Sequence, residues 1–368
     1  MFEQILTAAL FSMLQFGTPI LIAGLGGVIS ENSGVVNLAL EGTMRMGGFF
    51  SVVGAFYTGN AWLGLALGIG MGAVMGLLAA WVTVSWRGDQ VVYGVAINVF
   101  ALGGMTYLLE RFFNTTGHSP SVPSFSSGVM ISPTFAQGLL VFLVVCLTYA
   151  VVSWSMARKK DHNAKRALIL TAVIGLPLGI AISFIPFARD VVFGAFNRQT
   201  IFVYFALILP FLLHFLLFQT KWGLRIRAVG ENPKAADTLG INIYVIRYAC
   251  VILSYVFGAI AGASMSIGQL DLFENNMPAG KGFIALAAMI FGKWKPLGTL
   301  AAVLFFTLAG VAGDLIQGLS TTYPVLASIP RGFLNAFPYM LTLLALAGFV
   351  GRAVPPAADG IPYEKGEK

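Results

Sequence analysis

Residues 61–86 read AWLGLALGIGMGAVMGLLAAWVTVSW, a run that contains no charged side chain. A helix needs about 20 apolar residues to cross the hydrocarbon core of a bilayer, so this run is long enough to span one. Similar apolar runs recur from Ile5 to Val350, and the whole chain of 368 residues is 57% hydrophobic, 10% charged and has a mean hydropathy of +0.83. We therefore predict an all-α polytopic transmembrane helical bundle, with one transmembrane domain over residues 1–350 and a tail over 351–368.

The polar breaks between apolar runs divide the chain into about eleven segments. They lie near residues 5–29, 44–58, 61–86, 89–109, 134–155, 167–187, 200–219, 247–270, 281–292, 297–319 and 331–350. Basic residues gather in alternate connections, around Arg45, Arg87, 158–166, 221–247, 293–295 and Arg352. Since loops rich in Lys and Arg stay in the cytoplasm, we expect the N-terminus outside and the C-terminus inside. This topology explains the net charge of +7 without nucleic acid.

Two of these segments, 44–58 and 281–292, are too short to span a bilayer comfortably and are flanked by glycine. We interpret both as half-helices or re-entrant elements buried against protein. Each follows a long apolar span, so residues 5–109 and 247–350 are candidates for an inverted repeat of about four segments each. The alternative is that glycine-rich apolar stretches simply look alike.

A hydrophilic loop over about residues 220–246 carries the signals of a short helix. Asn232 can cap a helix N-terminus, Pro233 suits the first helical position, and Gly240 can form the left-handed turn that ends a helix. A short capped helix with small side chains fits a cleft in a partner protein. The alternative is an ordinary solvated loop.

Four stretches of the sequence are distinctive when taken together. They are AGLGGVISENSGVVN (23–37) running into Glu41-Gly42, GDQVVYGVAIN (88–98), GLRIRAVGENP (223–233) and GFIALAAMIFG (282–292). Together they resemble the permease subunits of ABC importers in the branch that carries simple sugars, nucleosides and branched-chain amino acids. The chain is most similar to the nucleoside members, which work with basic membrane lipoproteins. The resemblance covers most of the chain except residues near 127–185. That stretch has two apolar segments joined by a basic connector, and we interpret it as an inserted helical hairpin.

The resemblance implies a subunit of the bacterial cytoplasmic membrane that translocates nucleosides delivered by an external binding protein. The implied partners are a second homologous permease, a cytoplasmic ABC ATPase, an extracytoplasmic substrate-binding lipoprotein and membrane lipid. ATP and Mg²⁺ are then used by the ATPase partner, and this chain binds no cofactor. A simple-sugar permease is the alternative, and a secondary transporter fits the composition and the candidate repeat as well.

In such importers a cytoplasmic loop transmits the movement of the ATPase to the pore, and residues 221–246 resemble that coupling loop. The match is loose, because Lys234 stands where other ABC permeases carry Glu. The residues implied in coupling are Arg225, Arg227, Gly230, Glu231, Asn232, Pro233, Ala235, Ala236 and Gly240.

Polar side chains within apolar spans are costly and are therefore candidates for a substrate pathway. They are Asn37, Glu41, Asn98, Asp314 and Gln317. An ion pair with Arg45, one helical turn further on, explains Glu41 equally well. For the asparagines and for the Asp314–Gln317 pair, hydrogen bonds between helices are the alternative.

No pattern typical of an enzyme is present. The sequence lacks His-Glu-x-x-His and a Gly-x-x-x-x-Gly-Lys-Ser/Thr phosphate loop, and its three histidines are scattered. Cys146 and Cys250 both fall in predicted spans, without a His or Asp motif beside them. We therefore expect a transport subunit with no catalytic residues, no metal site and no ATPase site of its own.

Overall fold

The computed structural model of the chain describes residues 2–158, 164–319 and 353–364. These residues are mainly helical, and their only β-type pairs are the isolated bridges His118–Glu274 and Val129–Gln199. The helices are α1 (Phe2–Asn32), α2 (Leu40–Thr58), α3 (Ala61–Ala80), α4 (Gln90–Phe113), α5 (Pro133–Arg158), α6 (Ala164–Ser183), α7 (Pro186–Phe196), α8 (Ile201–Gln219), α9 (Lys221–Glu231), α10 (Pro233–Thr238), α11 (Ile243–Met265), α12 (Lys281–Phe291) and α13 (Pro296–Leu319). The π-helical turns Trp81–Ser85 and Ser266–Leu270 extend α3 and α11.

The predicted all-α polytopic bundle is confirmed. In the described part of the chain, six helices are long and apolar enough to cross a membrane: α1, α3, α4, α8, α11 and α13. The pair Val173–Ser183 and Pro186–Phe196, bent by 88°, is a seventh candidate. Every predicted segment up to 297–319 coincides with a helix, and the segment near 331–350 lies outside the described residues.

The chain divides into two compact units. The first comprises Met1–Ser12 and Gly128–Gln199, and the second comprises Met13–Ser127 and Thr200–Lys368. In the first unit the Gln199 side-chain amide donates hydrogen bonds to the carbonyl oxygens of Phe11 (3.1 Å) and Ala195 (2.9 Å). These bonds hold the end of α7 against α1. The boundaries of an inserted hairpin, about 127–185, stay a prediction.

Helix α2 lies in the core of the second unit, where 15 of its 19 residues are buried. It packs closely against α11 through glycine: a Cβ atom on Gly47 would overlap Ala259, and one on Gly262 would overlap the Met44 carbonyl. At 1.5 Å per residue α2 is about 28 Å long, so the half-helix predicted for 44–58 was wrong, whereas its predicted burial against protein is confirmed. Its glycines allow backbones to approach each other instead of breaking the helix.

Helix α12 has 11 residues and is about 16 Å long, so it is short as predicted for 281–292. The chain reaches it from α11 through residues 271–280, which exchange backbone hydrogen bonds with the segment that follows α4. Ser119 N–H donates to Phe273 (2.9 Å) and Val122 N–H to Asp271 (2.8 Å). The inverted repeat stays a prediction, because the last segment of its second half lies outside the described residues.

Replacing Gly47 by alanine tests the packing of α2 on α11. The added methyl overlaps the Ala259 backbone, so we expect Gly47→Ala to destabilise the protein by about 1–3 kcal/mol. The measurement is the thermal unfolding midpoint of the purified protein in detergent. Gly70→Ala is the matched control, because Gly70 is a helical glycine with open space around its Cβ position. Equal midpoints for the two variants would contradict this packing.

Candidate functional site

The predicted helix in the loop 220–246 is present as α10 (Pro233–Thr238). The Asn232 side chain caps it by accepting the N–H of Ala235 (3.0 Å), Pro233 takes the first position, and Gly240 has a positive φ of 77° after its end. Sequence reasoning missed α9 (Lys221–Glu231), because its charged residues look like a solvated loop. Thr220 caps α9 by accepting the N–H of Gly223 (3.1 Å), and this Thr at the start of the polar stretch was the available signal.

Helices α9 and α10 meet at an elbow, residues Gly230–Pro233, which packs against the end of α1. Gly230 is buried, and a Cβ atom there would overlap the carbonyl oxygen of Asn32. Ala236 on α10 is also buried, at 2% exposure. Both were predicted to contact an ATPase, but the structure places them inside the second unit. Any role in coupling must therefore pass through the packing of the elbow on α1.

The other predicted coupling residues lie nearer the surface. Arg227 is half-buried, because its Nε donates to the Leu217 carbonyl (3.1 Å) and its guanidinium lies 4.8 Å from the centre of the Phe218 ring. Arg225 covers the exposed ring of Trp222 at 5.2 Å. Exposed positions in the predicted set are Arg225, Glu231, Asn232, Ala235 and Gly240.

Leu239, just after α10, is an exposed apolar residue that the sequence did not single out. Its side chain is 79% exposed, and Ala235 and Thr238 beside it on α10 are exposed too. These three neighbouring side chains are therefore accessible to a partner protein. We refer to Ala235, Thr238 and Leu239 as the α10 surface.

A second group of candidate residues surrounds the start of α12 inside the second unit. The carboxylate of Glu41 accepts the backbone N–H groups of Gly280 (2.9 Å) and Gly282 (2.8 Å). The first N–H groups of a helix have no partner within the helix, and they carry partial positive charge. Glu41 on α2 therefore acts as an anionic cap for α12.

Arg45 is buried, at 5% exposure, although the charge pattern had placed it on a basic face. Its Nη2 lies 3.5 Å from the Oδ1 atom of Asn276, and in the described part of the chain its Nε has no hydrogen-bond partner. Among these residues no salt bridge within 4 Å joins Arg45 to Glu41, whose two carboxylate oxygens accept the N–H groups at the start of α12. Sequence reasoning could not identify Asn276 as a neighbour of Arg45, because Asn276 lies in the non-helical segment between α11 and α12.

Asn37 and Asn98 both connect separate segments of the chain. Asn37 donates to the Ser254 hydroxyl (2.8 Å) and accepts the N–H of Ala39 (3.0 Å). Asn98 accepts the N–H of Gly42 (2.7 Å) and donates to the carbonyl of Leu38 (2.8 Å). These contacts correspond to the structural alternative for both residues.

The last two pathway candidates, Asp314 and Gln317, lie on α13, three residues apart and so on one face of the helix. Gln317 is half-buried, and the side chain of Asp314 lies outside the described part of the chain. Among the described residues, no group of three or more His, Cys, Asp and Glu side chains could hold a metal ion.

The far end of α12 is fixed to the end of α1, a contact that sequence reasoning did not find. The indole N–H of Trp294 donates to Glu31 (2.5 Å), and the Asn32 side chain donates to the Trp294 carbonyl (3.0 Å). The half-helix is thus held at its start by α2 and at its end by α1. Both Glu31 and Asn32 belong to the 23–37 motif.

Removing the Glu41 carboxylate tests the anionic cap. Two charge-assisted hydrogen bonds are lost in Glu41→Ala, so we expect the protein to be less stable by about 3 kcal/mol. Glu41→Gln keeps one acceptor oxygen and should lose about half as much. The measurement is the thermal unfolding midpoint in detergent. An Ala variant as stable as the unmodified protein would show that the carboxylate is not needed as a cap.

A family model described as the permease component of the branched-chain amino acid transport system matches residues 9–159 and 164–347. The guanosine ABC transporter permease protein NupQ of Bacillus subtilis is 35% identical over 371 residues, which cover 99% of each chain. The nucleoside ABC transporter permease protein NupC of Lactococcus lactis is 35% identical over 363 residues, 96% of each chain. A putative glucose ABC transporter permease of Haloferax volcanii is 29% identical over 94% of each chain.

No solved structure gives a significant match. The alignment with the Bacillus protein covers nearly the whole chain, so our expectation that the resemblance leaves out residues near 127–185 was wrong. The long apolar helices, the capped elbow and the match over most of the sequence all indicate the same family. The chain belongs to this permease-component family, the membrane subunits of ABC transporters.

Proposed function

We propose that this chain is the permease subunit of an ABC importer that moves nucleosides across the bacterial cytoplasmic membrane. The observation that carries the proposal is its 35% identity, over nearly the full length, to two proteins named as guanosine and nucleoside permeases. Simple sugars are the second candidate substrate class, because a putative glucose permease is 29% identical over 94% of the chain.

In this proposal the working transporter has three further kinds of protein. A second homologous permease completes the pathway, an extracytoplasmic lipoprotein delivers the nucleoside, and a cytoplasmic ABC ATPase uses ATP and Mg²⁺. This chain itself binds no cofactor. Exposed apolar side chains on α4, among them Val95, Val99 and Phe100, support contact with lipid or with the second permease.

The elbow faces the cytoplasm in this proposal, with the N-terminus outside and the C-terminus inside. Basic residues at and near the elbow support that orientation, since Lys221, Arg225 and Lys234 are exposed there. The α10 surface then docks on the ATPase. Gly230 and Ala236, which are buried, pass its movement to the rest of the bundle through backbone packing.

Within the bundle, Arg45 and Asn276 are stronger candidates for contact with a passing nucleoside than Asn37 and Asn98. The side-chain amides of both Asn37 and Asn98 are already bonded to protein groups. Among the described residues no group accepts a hydrogen bond from the Nε of Arg45, which lies beside Asn276, and a guanidinium suits the acceptor atoms of a purine edge. Glu41 is needed at the start of α12.

Uptake by cells tests the proposed function. Cells that carry the complete transporter should take up radiolabelled guanosine or other nucleosides, and uptake should fall to background when this chain is absent. Mutating the partner ATPase so that it cannot hydrolyse ATP should have the same effect, because this chain has no phosphate loop. Labelled glucose is the comparison substrate.

Three outcomes separate the alternatives. ATP-dependent uptake of glucose with no nucleoside uptake would replace nucleosides by sugars. Uptake that needs this chain but survives inactivation of the ATPase would show a secondary transporter. The proposal is supported if nucleoside uptake is lost both when this chain is absent and when the partner ATPase is inactive.

The α10 surface gives a second test. Leu239→Asp places a charge in an apolar contact with the ATPase, so we expect nucleoside uptake to fall by about tenfold or more. The amount of this chain in the membrane should stay unchanged, because Leu239 is 79% exposed and supports little packing. Leu239→Met keeps the apolar surface and is the matched control. Normal uptake by the Asp variant would remove Leu239 from the ATPase contact.

A further inference from the structure

The end of the chain does not extend freely from the bundle. Residues Ala353–Glu364, which we call the clasp, pack on the elbow, and the backbone N–H of Ala358 donates to the carbonyl of Gly230 (2.8 Å). That carbonyl lies in the last turn of α9, where no N–H group of the same helix donates to it. The N–H of Ala357 lies 3.3 Å from the Glu231 carboxylate. The clasp thus supplies hydrogen bonds that the elbow cannot make for itself.

The clasp also binds the start of α11 through Arg247. This side chain is 1% exposed, and its Nη1 donates to the carbonyl of Ile361 (3.1 Å) while its Nε donates to the carbonyl of Ser33 (3.2 Å). One arginine therefore ties the clasp and the connection after α1 to α11. Tyr363, at 6% exposure, adds an edge-on ring contact with Tyr244, with ring centres 6.0 Å apart.

Asp359 anchors the middle of the clasp. Its carboxyl lies beside Glu31 of α1, and burial raises the pKa of Asp359 to about 7, although the hydrogen bond with Glu31 and the charge of Arg247 act to lower it. A protonated Glu31 can donate this hydrogen bond to the Asp359 carboxylate, so the two buried carboxyl groups need not repel each other. The same Glu31 accepts the indole N–H of Trp294 at the end of α12.

Close backbone approach holds the clasp in this position. Gly34 has a positive φ of 85°, and a Cβ atom there would lie 2.8 Å from the Arg247 guanidinium and 3.0 Å from the Ala358 carbonyl oxygen. A larger residue would push Arg247 or the clasp away from α1. Glycine at position 34 therefore leaves space for both Arg247 and the clasp beside the connection after α1.

We propose that the clasp positions the elbow for transport: it fastens the elbow to α1 and α11, so that movement of the elbow reaches α12 through Glu31 and Trp294. This inference rests on the proposed function, because it needs an ATPase that moves the elbow. Without the clasp, the elbow still docks on the ATPase, but its movement is passed on less completely. ATP is then hydrolysed with little transport.

The test compares two truncations in the complete transporter reconstituted in proteoliposomes with its binding protein. One chain ends at Arg352 and lacks the clasp, and the control ends at Glu364 and keeps it. For each, guanosine uptake and ATP hydrolysis are measured in the same vesicles. We expect removal of the clasp to lower guanosine moved per ATP by about tenfold, with the ATPase rate within about twofold of the unmodified transporter. The control truncation should keep the normal ratio.

Point variants keep the test valid if the shorter chain does not fold. Asp359→Ala removes the side chain that faces Glu31, whereas Asp359→Asn keeps an acceptor oxygen for Glu31 in the same place. We expect the Ala variant to lose guanosine moved per ATP by about fivefold or more, and the Asn variant to keep most of it.

The ratio separates positioning from simple stabilisation. A clasp that only stabilises the fold would, when removed, lower uptake and ATP hydrolysis together and leave their ratio unchanged, which overturns the proposal. An unchanged ratio in Asp359→Ala overturns it as well. If the unmodified transporter shows no ATP-dependent guanosine uptake, the proposed function fails and the clasp proposal fails with it. Normal guanosine uptake with an unchanged amount of guanosine moved per ATP in every variant refutes only the clasp proposal and leaves the proposed function standing.

Discussion

A helix that starts inside a protein core exposes N–H groups that nothing in the helix can satisfy, and α12 depends on Glu41 to accept them. Close packing explains Gly282 at its start, and backbone conformation explains Gly280. A Cβ atom on Gly282 would collide with the Glu41 backbone, and Gly280 has a left-handed φ of 87°. Because its other end is fixed through Trp294, this short helix is held between α2 and α1. These two attachments fix the position of α12 within the second unit.

Much of this fold was predictable from the sequence, because membrane spans depend on local composition. Apolar runs located the long helices, and Asn232, Pro233 and Gly240 correctly marked α10. The same reasoning failed for α2, since glycine was taken to break the helix. Whether a glycine breaks a helix or lets a neighbour approach depends on what lies opposite, and Ala259 is more than 200 residues from Gly47 along the chain.

The candidate site was predicted less completely than the fold, for the same physical reason. Polarity identified Glu41, Asn37 and Asn98, but their roles depend on partners from distant segments, such as Gly282 and Ser254. Arg45 was assigned to a basic face because basic residues gather in alternate connections, yet it is buried beside Asn276. At the elbow, the sequence selected the right loop but not which of its residues are exposed. Capping is a local property, whereas exposure is set by packing on α1.

The burial of Arg247 also constrains how the protein is made. Its guanidinium depends on the carbonyl of Ile361, which lies 114 residues further along the chain. At about 5–20 residues per second, a ribosome needs roughly 6–23 s to synthesise those residues. During this interval α11 already exists, but the charge at its start has no access to that acceptor. Assembly of this end of the protein is therefore tied to the synthesis of the residues near Ile361, and until then the Nη1 of Arg247 lacks that acceptor.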